Sequence, residues 1–243
     1  MKCKDDALDA DLAAEVLEVC RRARMRQHVF EFGGRVFPKP GIFEVEGQEI
    51  NEPALERAEA AVRIIVGAGP DAAAAVKLQR NTGGGFPAHY DNAGPPSRRA
   101  VTAILYLTDG DSGMLEIFEF LKPPVRVAPR FNRLVVFASD RCLHAVTRWR
   151  EPTPRYAVTF WFDGRAASEE IVLTKSHLSG FPTWDDAVAF FQESPLQRVI
   201  SRAVYDDEYE TSLREYCGFR EDHLAHMLEA HRRSGTAAAA CSR

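Results

Sequence analysis

Long apolar runs are missing from this chain. No stretch approaches the roughly 20 residues that a membrane-crossing helix requires, so no membrane partner is expected. An excess of either charge is missing too: Lys and Arg number 31 against 35 Asp and Glu, a formal net charge of −4. That balance offers no electrostatic case for nucleic acid. Cysteine is sparse. Cys3, Cys20, Cys142, Cys217 and Cys241 are odd in number and widely scattered, which argues against both a disulfide framework and a thiolate zinc site. Met1–Asp6 shows no apolar signal core, and Cys241 lies one position short of a prenylation box. The expectation is a reducing, intracellular setting, cytoplasmic or nuclear. There is no internal repeat.

What is present suits one structural domain of 243 residues, 45% of them hydrophobic. Leu12, Val16, Val19, Cys20 and Ala23 recur at helical spacing, which predicts an amphipathic helix over 8–25. A hairpin is expected around Gly33-Gly34, interrupted by Pro38 and Pro40. A second helix is expected to begin at Pro53 and stop at Gly67. From Ala75 to Phe162 the texture changes to short β-rich runs, at Ala75–Gln79, Val101–Leu107, Leu115–Phe118, Val125–Val127, Leu134–Phe137 and Tyr156–Phe162. Such runs predict a β-barrel or sandwich. Helical spacing returns in Ala187, Val188, Phe191, Leu196, Val199 and Ile200, and again in Leu224, Met227, Leu228 and His231. The plan is N-terminal helices and hairpin over 1–74, a β core over 75–164, a helical extension over 165–233 and a flexible tail over 234–243.

His89-Tyr90-Asp91 carries two metal-capable side chains at i and i+2, which share a face on an extended strand. His144, in another β-rich stretch, offers a third ligand. Two imidazoles and a carboxylate form the facial triad of non-haem iron(II) oxygenases, which leaves coordination positions open. Arg155 opens the strand Arg155–Phe162; an inward arginine there asks for a bidentate anionic partner such as a dicarboxylate. Taken alone, His-x-Asp is a weak signal. The order Gly-rich loop, His-x-Asp, strand, His and Arg on the last strand is far more specific.

In that order the stretch from Lys77 to Phe162 resembles the prolyl 4-hydroxylase branch of the 2-oxoglutarate oxygenases, above all the hydroxylases that act on hypoxia-inducible factors. The resemblance rests on His89–Asn92, Arg99–Leu107, Asn132–Arg141, His144–Val146 and Arg155–Trp161. It implies a mainly β fold with flanking helices, built on a double-stranded β-helix or jelly-roll core. It implies iron(II) on His89, Asp91 and His144, and 2-oxoglutarate on Arg155 and Tyr106. Thr159 is expected to line the same pocket. Trp161 and Arg99 match substrate-side residues. Molecular oxygen is the other co-substrate, ascorbate the expected reductant, and a peptide or protein the expected substrate.

Two departures stand out. Gln79 replaces a tyrosine that helps hold the co-substrate in the oxygen-sensing enzymes, and the His144–Arg155 interval is two residues longer. A loop insertion before a strand is inexpensive, so the metal and co-substrate roles carry over. The carboxylate of Asp91 favours hydroxylation over halogenation, and Trp161 stands where nucleic-acid demethylases have a second arginine. The leading reading is hydroxylation of a peptidyl proline. Alternatives are hydroxylation of another residue or a small molecule, and a non-catalytic, cupin-like metal-binding sensor or scaffold. Gly83-Gly84-Gly85, with no Gly-Lys-Ser/Thr behind it, reads as a mobile loop beside the metal. The peptide is expected to enter between Gly83–Phe86 and the segment before Arg99. Cys142 reads as a small buried residue.

Overall fold

The first helix shows how local chemistry sets the frame. In the computed structural model, which describes all residues except 93, 95, 165–175, 177, 178 and 241–243, α1 spans Ala10–Arg22. The Asp9 carboxylate accepts the main-chain N–H groups of Asp11 and Leu12 and so satisfies two donors that the helix start leaves free. Arg21 and Arg22 occupy the last turn, where the helix dipole favours cations. Ala13, Val16, Val19 and Cys20 are buried. The second helix, α2 (Pro53–Val66), has proline in its first turn and ends on Gly67 in the left-handed region at φ 70°. Both helices pack over one face of the larger sheet, against Leu78, Leu105, Val158 and Phe160. Each fully buried aliphatic side chain there contributes about 1.5–3 kcal/mol.

The strands are β1 (Lys2–Lys4), β2 (Arg26–Phe32), β3 (Arg35–Glu46), β4 (Ala74–Asn81), β5 (Phe86–His89), β6 (Arg99–Tyr106), β7 (Leu115–Phe118), β8 (Val125–Val127), β9 (Arg133–Ala138), β10 (Leu143–Val146) and β11 (Arg155–Asp163). They form a seven-stranded sheet in the order β1-β9-β6-β11-β4-β3-β2 and a four-stranded sheet in the order β5-β10-β7-β8. All pairings are antiparallel. The sheets face one another across Tyr106, Leu115, Ile117, Val135, Phe137, Val146 and Ala157. This is the double-stranded β-helix expected from the resemblance.

Three details differ from the sequence expectation. Pro38 and Pro40 do not interrupt β3, because pairing with β4 starts only at Ile42–Asn81. The prolines therefore lie outside the β3–β4 ladder, where their missing N–H groups cost no bond to β4. β5 and β10, which carry the two histidines, are strands of four residues that the runs of apolar residues do not reveal. The triglycine loop, expected to be mobile, is closely packed and hydrogen-bonded to Asn81. Asn81 accepts from the Gly83 and Gly84 N–H groups at 2.9 and 2.8 Å and donates to the Gly84 carbonyl at 2.9 Å. A Cβ on Gly84 would meet the Pro40 carbonyl oxygen at 2.2 Å, and one on Gly85 the carbonyls of Val146 and Tyr216 at 2.5 Å. The glycines serve close packing.

Beyond the β core lie α3 (Trp184–Glu193), α4 (Gln197–Val204), α5 (Asp206–Thr211), a π-turn at Ser212–Tyr216 and α6 (Glu221–Ala240). The apolar face expected across 187–200 is divided between α3 and α4; Phe191 and Leu196 are buried against the smaller sheet, while the Val199 side chain lies outside the described ones. α6 runs through Ala240 into the expected flexible tail, since alanine has the highest helix propensity. Met227 and Leu228 of α6 pack with Phe37 against the β2–β3 hairpin.

Candidate active site

His89 is the last residue of β5, and its Cα partner across the ladder is His144 of β10. Their rings stand 4.3 Å apart, centroid to centroid. Asp91 lies two residues beyond the end of β5, so the strand expected to carry both members of His-x-Asp holds only the histidine. Asp91 Oδ1 is 3.5 Å from His89 Nε2 and 3.7 Å from His144 Nε2. One ligand atom from each of the three residues falls within 4.8 Å of the others, and no other such cluster occurs among the described residues.

The hydrogen bonds around these atoms suit a metal. His89 Nδ1 bonds the Pro87 carbonyl at 2.7 Å, and His144 Nδ1 the Cys142 carbonyl at 3.1 Å. A carbonyl only accepts, so each Nδ1 carries a proton, and in the neutral ring each Nε2 is left with a lone pair for the centre. Asp91 Oδ2 accepts from Thr102 Oγ1 at 2.7 Å and Trp161 Nε1 at 3.0 Å, which leaves Oδ1 for the centre. Burial opposes ionisation of Asp91, but His144, His89 and the Trp161 N–H together hold its carboxyl well below the usual range. Burial, with help from His89, pulls His144 down to about 4 against the opposing pull of Asp91. Two imidazoles that can present Nε2 and one carboxylate make up the donor chemistry of iron(II).

These residues line a cavity of about 250 Å³ that also contains Arg99, Tyr106, Arg155, Thr159 and Trp161. All eight residues singled out from the sequence therefore meet in one space. Arg155 is 3% exposed, and burial works against its charge. Its Nη1 donates to the Gly113 carbonyl at 2.9 Å and its Nη2 to Gln79 Oε1 at 3.1 Å, while Nε has no partner. A buried guanidinium with an orphaned N–H fits an incoming carboxylate. Gln79, the departure noted above, is thereby a support for Arg155. Tyr106 lies 1% exposed beneath the guanidinium, and among the described residues its hydroxyl has no hydrogen-bond partner. Thr159 shares the inward face of β11 with Arg155, Ala157 and Trp161.

Trp161 and Arg99 are closer to the triad than a substrate-mouth position suggests. Arg99 stacks 4.2 Å over the Trp161 ring and its Nη1 reaches the Asp91 carbonyl at 3.4 Å. The C-terminal helices also reach in: Tyr90 donates to Ser201 Oγ of α4 at 2.9 Å, and the Ala88 N–H to Ser212 Oγ at 2.9 Å.

Sequence reasoning missed the far wall. His28, Phe30, Lys39 and Glu44 of the β2–β3 hairpin, and Lys77 of β4, line the cavity with Phe86. The three glycines expected at its entrance do not line it. The only hint in the sequence is a lysine set between two prolines, and the left-handed Gly41 (φ 69°) two residues on hides which face it occupies. Cys142 is half-buried and burial pushes its thiol up to about 12, so it is a weak nucleophile.

Comparison with known proteins agrees with this geometry. The pattern of the 2OG-Fe(II) oxygenase superfamily matches residues 75–163. Among solved structures, a prolyl 4-hydroxylase from Phytophthora capsici is 30% identical, with a TM-score of 0.68, over 96% of this chain and 83% of that one. A prolyl-4-hydroxylase from Pseudomonas putida shares 22% identity over 68% of this chain and 92% of its own, with a TM-score of 0.52. A prolyl hydroxylase from Trichoplax adhaerens, solved with a peptide fragment of the hypoxia-inducible factor oxygen degradation domain, shares 22% over 67% and 82%, with a TM-score of 0.55. No curated protein sequence matches the chain. The Phytophthora likeness extends well beyond the β core, over the hairpin and the helices at both ends. This chain belongs to the 2-oxoglutarate and iron(II) oxygenase superfamily and is a dioxygenase of the prolyl 4-hydroxylase type.

Proposed function

We propose that this dioxygenase hydroxylates a peptidyl proline, with iron(II) on His89, Asp91 and His144 and 2-oxoglutarate on Arg155. The observation that carries the site assignment is the pairing of two features in one cavity. At one end three ligand atoms converge within 4.8 Å of one another, and at the other a buried guanidinium keeps an unused N–H. A dicarboxylate that chelates the metal and extends to Arg155 answers both. The proline assignment draws support from the 30% identity to the Phytophthora prolyl 4-hydroxylase and from the peptide held by the Trichoplax relative.

Iron(II), when bound with 2-oxoglutarate and O2, supplies the oxidising power that places a hydroxyl on the substrate as succinate and CO2 leave. The chain's own residues orient and shield. Pro87 and Cys142 hold the ligand imidazoles in one tautomer; Thr102 and Trp161 fix the Asp91 carboxylate. Gln79 and Gly113 aim the Arg155 fork, and Tyr106 offers its hydroxyl beside it. Arg99, stacked on Trp161, faces the incoming substrate beside the metal end of the cavity. The sparse cysteines, free at Cys3, Cys20, Cys142 and Cys217 among the described residues, support the reading of an intracellular enzyme that uses ascorbate as reductant.

The test is substrate-dependent succinate release coupled to mass spectrometry of proline-containing peptide libraries, reading a gain of one oxygen on proline. Each of His89→Ala, Asp91→Ala and His144→Ala should bring that release to background with the far-ultraviolet dichroism retained. Oxygen gained only on other residues or on free metabolites would remove the proline reading; full activity of Asp91→Ala would remove the triad.

A further inference from the structure

Lys39 is the one lysine among the largest fully buried side chains, at 1% exposure, and it lines the cavity of the candidate active site. Its ammonium lies 3.6 Å from the centre of the Phe86 ring and 5.0 Å from that of Phe30. Among the described residues no carboxylate, carbonyl or hydroxyl accepts from it. The acid on the same wall is already committed: Glu44 pairs with His28 at 2.7 Å and with Lys77 at 3.1 Å. Lys77 also holds Glu46 at 3.3 Å. The far wall thus presents an ammonium with three donors and only ring faces to meet them.

A buried ammonium without an acceptor is expensive, and methionine would fill the same volume among two phenylalanines without that penalty. Burial pulls Lys39 down to about 7, though Cys217 and Glu44 act the other way, so an arriving anion would restore its full charge. The co-substrate does not need it, since one carboxylate end goes to the metal and the other to Arg155. A second buried cation in the same cavity calls for a second anion, and that anion has to arrive with the substrate. We propose that Lys39 is a specificity-determining residue that donates to a carboxylate carried on, or next to, the substrate residue that reacts. The inference rests on the oxygenase reading of the cavity. The carboxylate has two sources in a peptide: an acidic side chain beside the target, or the chain's own C-terminus.

The experiment uses the iron-loaded enzyme with 2-oxoglutarate and matched peptides: proline followed by Glu against Gln, and C-terminal acid against C-terminal amide. Wild type should favour the acid member of one pair by roughly tenfold or more in kcat/KM, the worth of a charge-assisted hydrogen bond. The pair that shows the preference identifies the source. In Lys39→Met the preference should fall close to one, with the KM for 2-oxoglutarate unchanged and the melting temperature equal or higher. Lys39→Gln, which keeps a donor without charge, takes its place if the methionine variant does not fold. Equal turnover of acid and amide by wild type sinks the proposal, as does a rise in the KM for 2-oxoglutarate with the acid preference retained.

If no peptide is hydroxylated, the proline reading fails on its own. Calorimetry of the anaerobic enzyme with free amino acids and their amides then decides the role of Lys39. Tighter binding of the acids in wild type, lost in Lys39→Met, upholds the proposal; no carboxylate-dependent binding overturns it.

Discussion

Trp161 donates its indole N–H to Asp91 Oδ2 at 3.0 Å, across the interval from the last core strand to the residue that completes the candidate triad. With Thr102 on the same oxygen, it turns Oδ1 toward His89 and His144. A tryptophan expected at the substrate mouth is thereby a support of the metal site.

Trp161→Phe keeps the ring and loses the donor. Apparent iron(II) affinity should fall by roughly tenfold, the lower end of what outer-shell partners contribute. Metal titration followed by succinate release measures it, and a wild-type value would mean that Thr102 alone orients the carboxylate.

Arg155→Lys retains the charge and loses the planar fork. With about 1.5–3 kcal/mol lost for a charge-assisted hydrogen bond, the KM for 2-oxoglutarate should rise roughly ten- to a hundredfold. Iron binding should stay unchanged, because the Arg155 guanidinium is held by Gly113, Gln79 and the Tyr106 ring and not by the triad residues. An unaltered KM would show that the orphaned Nε serves something else.

Arg99→Ala removes the guanidinium stacked on Trp161. Peptide-stimulated turnover should drop several-fold while the KM for 2-oxoglutarate holds. Loss of co-substrate affinity in this variant would move Arg99 from the substrate side to the co-substrate side.

The metal-free protein should lose stability as pH falls from 6.5 to about 4. His144 is held down to about 4 by burial and by His89, so in that window the unfolded chain binds a proton that the folded chain refuses. The slope from this group is at most about 1.4 kcal/mol per pH unit. Asp91, held low, extends the loss to still lower pH as its carboxyl is forced to protonate. Iron should protect, since it competes with protons for the same atoms. Melting curves across that range, with and without metal, read both effects; a flat apo profile would contradict the burial of His144.

Much of this arrangement is legible in the sequence because the ligands keep a fixed order in the chain. The sequence His-x-Asp, then His, then Arg identifies His89, Asp91, His144 and Arg155 without the strands being located first, and only β11, which Arg155 opens, is announced by its own apolar run. The far wall is different. Lys39, Glu44 and His28 reach the cavity only because β3 runs through Pro38 and Pro40 and turns at Gly41, a path that propensity argues against. The four-residue β5 and β10 are hidden for a related reason: β10 is buried at every position and shows no alternation to read. The tight triglycine loop depends on Asn81, whose side chain acts on residues two and three places ahead.

The Nδ1 protons of His89 and His144 are both lodged on main-chain oxygens, those of Pro87 and Cys142. No substitution can delete a carbonyl. Drift in the neighbouring side chains therefore leaves the coordinating nitrogens as they are, and only a slip of strand register could invert them. The Asp91 arm has no such insurance, because its two donors are side chains that one mutation each can erase. In this chain the support of the metal site that mutation of a neighbouring side chain can change sits on the carboxylate.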